Sequence, residues 1–117
     1  MITSKIRKLI ENNPLSVATT DGKNPNLAFV AFAKVLDDSH IIFTDNYLGK
    51  TRENIRGNGK IYLGTYDKDW NGVKISGTAK YYESGKYFDL VKNQAENSGE
   101  NPHGAIVVVV KKVVEIG

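Results

Sequence analysis

Apolar positions along this chain change period several times, and each change marks an element. Near the start, Ile6, Leu9 and Ile10 fall at i, i+3 and i+4, so they share one face of a helix. Thr3 or Ser4 caps that helix, and Asn12-Asn13-Pro14 stops it, because a proline drives its predecessor out of the helical region. LSVATT (15–20) alternates as a strand does, and Asp21-Gly22 is a turn. LAFVAFAKVL (27–36) is almost continuously apolar, which predicts one long strand covered on both faces. Asp37-Asp38-Ser39 turns the chain into a strand over HIIFTD (40–45). Residues 50–56 read as one or two helical turns closed by Gly57 and Gly59.

KIYLGTY (60–66) and GVKISGTAKYY (72–82) are strands joined by the DKDWN turn. Tyr87, Leu90, Val91 and Ala95 have helical spacing and predict a helix near 84–96, ended by Asn97-Ser98-Gly99. AIVVVVKKVVEI (105–116) is a last strand. The VVVV run (107–110) lacks polar alternation, so both its faces are buried; in a small chain this suggests a homodimer interface. The expectation is a mainly β protein: a small barrel of about six antiparallel strands with two or three short inserted helices. The regular βαβ alternation of a parallel nucleotide-binding sheet is missing.

With 117 residues, the chain is expected to be a single domain spanning 1–117. The absence of cysteine excludes thiol catalysis, thiolate metal sites and a disulfide framework, and fits a reducing cytoplasm. The N-terminus is too polar for a signal peptide, and no run approaches a membrane span. A net charge of +3 is weak support for a nucleic-acid partner.

The candidate chemistry centres on Gly49-Lys50-Thr51, the tail of a phosphate-binding P-loop. A full P-loop needs glycine at position 44, where the chain has Thr44, so that reading fails. A plainer anion site remains: a helix N-terminus offers unpaired N–H groups, with Lys50 as a point charge and Thr51 as a hydroxyl donor. From spacing alone, Thr51 merely capping its own helix beside a solvated Lys50 is the better explanation. DKDWNG (67–72) imitates half a calcium loop, but the required glutamate at 78 is Thr78, so a β-turn is preferred. Trp70 at its tip either packs on a ligand or partner or covers the local core. His40 and His103 have no companions at metal-ligand or catalytic spacing. Tyr62, Tyr66, Tyr81 and Tyr82 with scattered lysines would suit a barrel face for single-stranded nucleic acid, although strand propensity explains them as well.

In order, these pieces resemble the FMN-binding split β-barrel family, the pyridoxamine 5′-phosphate oxidase-like proteins. LAFVAFAKVLDDSHIIFTDN (27–46) is similar to the family's strand–turn–strand, with Lys34, Leu36-Asp37 and Phe43-Thr44-Asp45-Asn46 at its marked positions. Lys50-Thr51 stands where the family opens a short helix with a basic pair, and VKISGTAKYY (73–82) resembles a later family strand. The resemblance implies a homodimer with FMN at its interface. By carry-over, Lys50 and Thr51 hold the phosphate. Phe29, Val30, Ala31 and Phe32 line the isoalloxazine, Thr44 and Asp45 lie near the ribityl and phosphate, and Gly72-Val73 lie near the ring. Trp70 approaching the ring from the other subunit is our own addition. No side-chain catalyst and no metal are expected, because the flavin supplies the redox chemistry of an oxidoreductase or electron carrier. The oxidase proper has an arginine near the position of Phe29, Arg-Lys in place of Lys50-Thr51, and a substrate-binding C-terminal extension. The resemblance is therefore to the short stand-alone FMN-binding type. The alternatives are a deazaflavin or haem in the same fold, or a small basic barrel on single-stranded nucleic acid.

Overall fold

The computed structural model describes residues 1–117. The elements run α1 (Ser4–Asn12), β1 (Leu15–Thr20), β2 (Pro25–Val30), β3 (Lys34–Asp37), β4 (His40–Asp45), α2 (Gly49–Asn58), β5 (Lys60–Tyr66), β6 (Gly72–Tyr82), α3 (Lys86–Lys92) and β7 (Gly104–Ile116). Seven strands form one antiparallel sheet in the order β2-β1-β5-β6-β7-β4-β3. The fold is the mainly β split barrel expected, with one strand more than the pattern suggested.

The extra strand comes from the 27–36 run, which is not one strand but two. β2 and β3 lie at opposite edges of the sheet. Residues 31–33 carry the chain from one edge to the other, and four Cα steps span at most about 14 Å. The sheet must therefore curl until its edges nearly meet, which makes the seam of the barrel. Inside it, Leu15, Val17, Ile41, Phe43, Leu63, Ile75, Ile106 and Val108 form the main core.

α1 forms as predicted, with the Ile6 N–H donating to Thr3 Oγ1 at 3.3 Å and Ile6, Leu9 and Ile10 buried. It also covers the β3 edge: Arg7 Nη2 donates to the Val35 carbonyl at 3.0 Å, and the Val35 N–H donates to Glu11 Oε2 at 2.8 Å. Unpaired strand edges invite wrong partners, and this helix satisfies one.

The helix expected near 84–96 is shorter. α3 ends at Lys92, and the Asn93 and Gln94 N–H groups turn back to the Asp89 and Val91 carbonyls. Its placement corrects the reading of VVVV. Val108 and Val110 face the barrel interior, while Val107 packs with Ile42 and Val91 of α3. Val107 is thus covered by this chain itself, while Val109 on the same face is only part-buried. No helix is long and apolar enough to cross a membrane.

Candidate functional site

α2 is docked beside the seam largely by polar side chains. Only Ile55 among its buried residues is apolar; Thr51 and Asn54 are the others. Asn54 Nδ2 donates to Thr19 Oγ1 at 3.0 Å, Asn58 Nδ2 to the Thr20 carbonyl at 2.8 Å, and Asn26 Nδ2 to Thr51 Oγ1 at 3.1 Å. These bonds hold the helix to the β1–β2 hairpin. Gly59 ends α2 in the left-handed conformation at φ 71°, where an added Cβ would lie 2.9 Å from the Ala79 carbonyl oxygen.

The first turn of α2 is built differently from the sequence expectation. The helix begins at Gly49, with Leu48 as its N-cap residue and no capping bond from the Leu48 side chain. Thr51 is therefore the third helical residue, inside the first turn, buried, and accepts from Asn26 rather than capping the helix. The cap comes from Asp45, whose Oδ1 accepts the Leu48 N–H at 2.7 Å. A helix start leaves four N–H groups unbonded. With Leu48 satisfied, those of Gly49, Lys50 and Thr51 have no acceptor in the protein. Lys50 is half exposed, 3.7 Å from Asp21 and 3.8 Å from Glu53. The Asn24 and Lys23 N–H groups hold the Asp21 carboxyl down at about 2, so it is ionised.

Asp45 itself is fully buried and points away from solvent. Its Oδ2 accepts from Arg52 Nε and from the Tyr81 hydroxyl, each at 2.6 Å. Burial alone would push its carboxyl up, but Arg52, Tyr81 and the Leu48 N–H together hold it below the usual carboxylate range. Thr44 is buried too, and its Oγ1 accepts from Asn97 Nδ2 at 2.9 Å.

Two concavities adjoin here. One of about 160 Å³ lies at the α2 start and is lined by Asn26, Leu27, Ala28, Gly49, Lys50 and Thr51. The other, about 310 Å³, lies along the seam against Phe29, Val30, Ala31, Phe32 and Thr44, with Glu96 and Glu100 at its rim. Tyr47 and Leu48 line both, so the two are neighbours. Together they gather 29–32, Thr44, Lys50 and Thr51.

Trp70, Gly72 and Val73 line a separate hollow of about 610 Å³ on the outer face of the sheet, sharing only Phe29 with the seam groove. Val73 is a core side chain, and Gly72 is buried opposite Tyr66. Trp70 is 72% exposed and stacks on Tyr66, their centroids 5.1 Å apart and planes 6° from parallel. Its φ of 65° is unusual for a residue with a side chain and costs roughly 1–2 kcal/mol. The turn holds it there: Asp67 Oδ1 accepts the Asp69 and Asn71 N–H groups, and the Asp67 carbonyl accepts that of Trp70.

Around that hollow the outer face carries exposed apolar side chains beside Lys74 and small residues. Phe29, Ser16, Gly64 and Lys74 lie in register across four strands, and Leu27, Ala18, Tyr62 and Ser76 form the next row. Leu27, Phe29, Tyr62, Tyr66 and Ile116 are all exposed around small central residues. The four tyrosines do not share a face: Tyr62 and Tyr66 are on this one, Tyr81 is bonded to Asp45, and Tyr82 packs on Tyr87. His40 is bound to Asp37 and Ser39 in the β3–β4 turn, away from the groove.

Sequence reasoning missed Asn26, Tyr47 and Leu48 as groove residues and Tyr81 as a partner of Asp45. No motif marks them: Asn26, Tyr47 and Tyr81 bond to side chains distant in sequence, and Leu48 is an ordinary apolar residue beside the tripeptide.

The family model for pyridoxamine 5′-phosphate oxidase matches residues 2–116. Uncharacterized protein MJ0282 of Methanocaldococcus jannaschii is 31% identical, over 98% of this chain and 80% of its own. HupZ of Group A Streptococcus superposes with a TM-score of 0.91 at 31% identity, over 99% of this chain and 94% of that one. An FMN-binding protein from Syntrophomonas wolfei subsp. wolfei shares the fold, with a TM-score of 0.81 at 21% identity over 95% and 83% of the two chains. An F420 reductase shares it more distantly, with a TM-score of 0.67 at 15% identity over 91% and 92%.

Proposed function

The chain belongs to the pyridoxamine 5′-phosphate oxidase family, and on that premise we propose that it is a cytoplasmic, single-domain flavoprotein that binds FMN and serves as an oxidoreductase or electron carrier. The observation that carries this reading is the adjacency of the two concavities, which share Tyr47 and Leu48. A phosphate needs cationic charge and N–H donors, and the α2 start offers Lys50 and three unbonded N–H groups. A flavin ring needs a flat apolar slot, and the adjoining seam offers residues 29–32. The donor set therefore fits FMN.

In this reading FMN supplies the redox chemistry when bound. The chain's own residues bind and orient it. Lys50 and the N–H groups of 49–51 anchor the phosphate, Thr51 and Asn26 fix the first helical turn, and the 29–32 backbone lies along the ring. Thr44 and Asp45 shape the junction from within; their polar groups are engaged by Asn97, Arg52 and Tyr81 rather than offered to a ligand. Gly72 and Val73 set the floor of the outer hollow.

The fitting assembly is a homodimer joined through the apolar outer face, with Leu27, Phe29, Tyr62, Tyr66 and Ile116 buried by the second copy. Phe29 lines both the seam groove and this face, so the partner would close the groove. Trp70, already stacked and aimed outward, is the residue proposed to cover the partner's flavin.

A second reading keeps the site and exchanges FMN for a deazaflavin, which the F420 reductase likeness in fold favours. Haem is disfavoured because neither histidine lines the groove. The visible spectrum of the purified protein, with and without added FMN, tests the proposal. An oxidised-flavin spectrum bleached by dithionite is expected. A deazaflavin band supports the second reading, and a colourless protein that takes up no added FMN contradicts the first.

A further inference from the structure

We infer that Tyr81 is a positioning residue for the ligand phosphate: with Arg52 and the buried Asp45 it forms a part-buried latch that ties the first turn of α2 to the barrel. This rests on the phosphate reading of α2 and extends it to a residue that lines neither part of the groove.

The latch spans three neighbouring strands. Asp45 ends β4, Tyr81 lies on β6, and β7 runs between them. To reach Asp45, the Tyr81 ring crosses β7 at Gly104, the residue paired with Asp45 in the β4–β7 ladder. A Cβ at Gly104 would come within 2.5 Å of that ring. Glycine is required at this point by the crossing itself.

One carboxylate then joins three elements. Its Oδ2 receives the Tyr81 hydroxyl and Arg52 Nε, both at 2.6 Å, and its Oδ1 receives the Leu48 N–H at 2.7 Å. Leu48 is the N-cap residue of α2, and Arg52 lies one turn along it. The guanidinium of Arg56, a further turn along, sits 4.7 Å from the centre of the Tyr81 ring and pairs with Glu83. Tyr81 is thus held against two successive turns of the helix. Burial, reinforced by Asp45, pushes the Tyr81 hydroxyl up, so it remains a donor at neutral pH.

The consequence follows from direction. Hydrogen bonds to a buried charge are short and angularly demanding. If the Tyr81 bond is lost, the carboxylate is free to rotate, and the Leu48 cap and Arg52 anchor loosen together. The unbonded N–H groups of 49–51 then lose their common aim, while the ring slot at 29–32 is untouched.

Binding of FMN and of riboflavin, which lacks the phosphate, separates these effects. Affinities are measured by flavin fluorescence quenching for the native protein, Tyr81→Phe and Gly104→Ala. Gly104→Ala keeps all three bonding groups but displaces the ring, so it reports independently if Tyr81→Phe fails to fold. Each folded variant is expected to lower the FMN-to-riboflavin preference at least about fivefold, with riboflavin affinity nearly unchanged. An unchanged preference in a folded variant overturns the latch, and so does a parallel loss of both ligands, which is the mark of a merely structural tyrosine. Equal affinities in the native protein overturn the phosphate reading itself, and with it the latch.

Discussion

α1 and α2 are helices of nearly equal length that cover the same barrel by opposite means. α1 buries Ile6, Leu9 and Ile10 and leaves its polar side chains to the margin. α2 buries Thr51, Asn54 and Ile55, and most of what holds it is hydrogen bonding through Asn26, Asn54, Asn58, Asp45 and Arg52. Apolar burial is strong but non-directional, so it fixes that a helix docks more firmly than how it is turned. Hydrogen bonds contribute less on balance but specify angle and register. A helix that only seals a core needs the first kind of contact. One whose first turn is proposed to aim three N–H groups at an anion needs the second.

Substitutions in the two helices should therefore separate stability from binding. The largest loss of stability is expected from Ile10→Ala in α1, a fully buried side chain. Thermal or denaturant unfolding should show a loss of about 2–5 kcal/mol, while the folded fraction keeps its FMN-to-riboflavin preference. Asp45→Asn comes next, at about 1.5–3 kcal/mol near pH 7, because Arg52 loses its buried counter-charge. Its pH dependence sharpens the point. The native carboxyl titrates below its unfolded value of about 3.9, so its contribution is complete above that pH and is lost as the pH falls through the lowered folded value. The stabilities of the native protein and the Asp45→Asn variant should accordingly converge on acidification, a trend that pH-dependent urea unfolding measures.

Asn54→Ala removes the donor to Thr19 Oγ1 and should destabilise by about 1 kcal/mol. Unlike Ile10→Ala, it should also weaken FMN binding in the folded protein, which isothermal titration would register. The smallest effect is expected at the margin of α1. Breaking the exposed Lys5–Glu115 pair with Lys5→Gln should change stability by less than about 0.5 kcal/mol and leave binding unchanged.

The same contrast explains what was legible in the sequence. α1 was readable to its cap, because its docking is written in apolar spacing at i, i+3 and i+4. Most strands and their turns were readable for the same reason. The break at residues 31–33 was not, since a continuous apolar run looks the same whether it stays in one strand or crosses between two sheet edges. VVVV was read as doubly buried; Val107, Val108 and Val110 are, with α3 over Val107, while Val109 is only part-buried. At the site, Lys50 and Thr51 were visible through a tripeptide and the ordered family resemblance. The polar docking of α2 was not, because Asn26, Asn54 and Tyr81 find partners 25–36 residues away. Asp45 looked like a ligand-side residue for the same reason: only the fold turns its carboxylate inward.

The central claim is that the first turn of α2 grips one phosphate. Parallel titrations of the native protein with FMN and with riboflavin, at moderate salt and followed by flavin fluorescence, test it most directly. The account predicts that FMN binds at least about tenfold more tightly, a difference of about 1.4 kcal/mol, and that Lys50→Ala removes most of that margin. Equal affinities for the two flavins would contradict it.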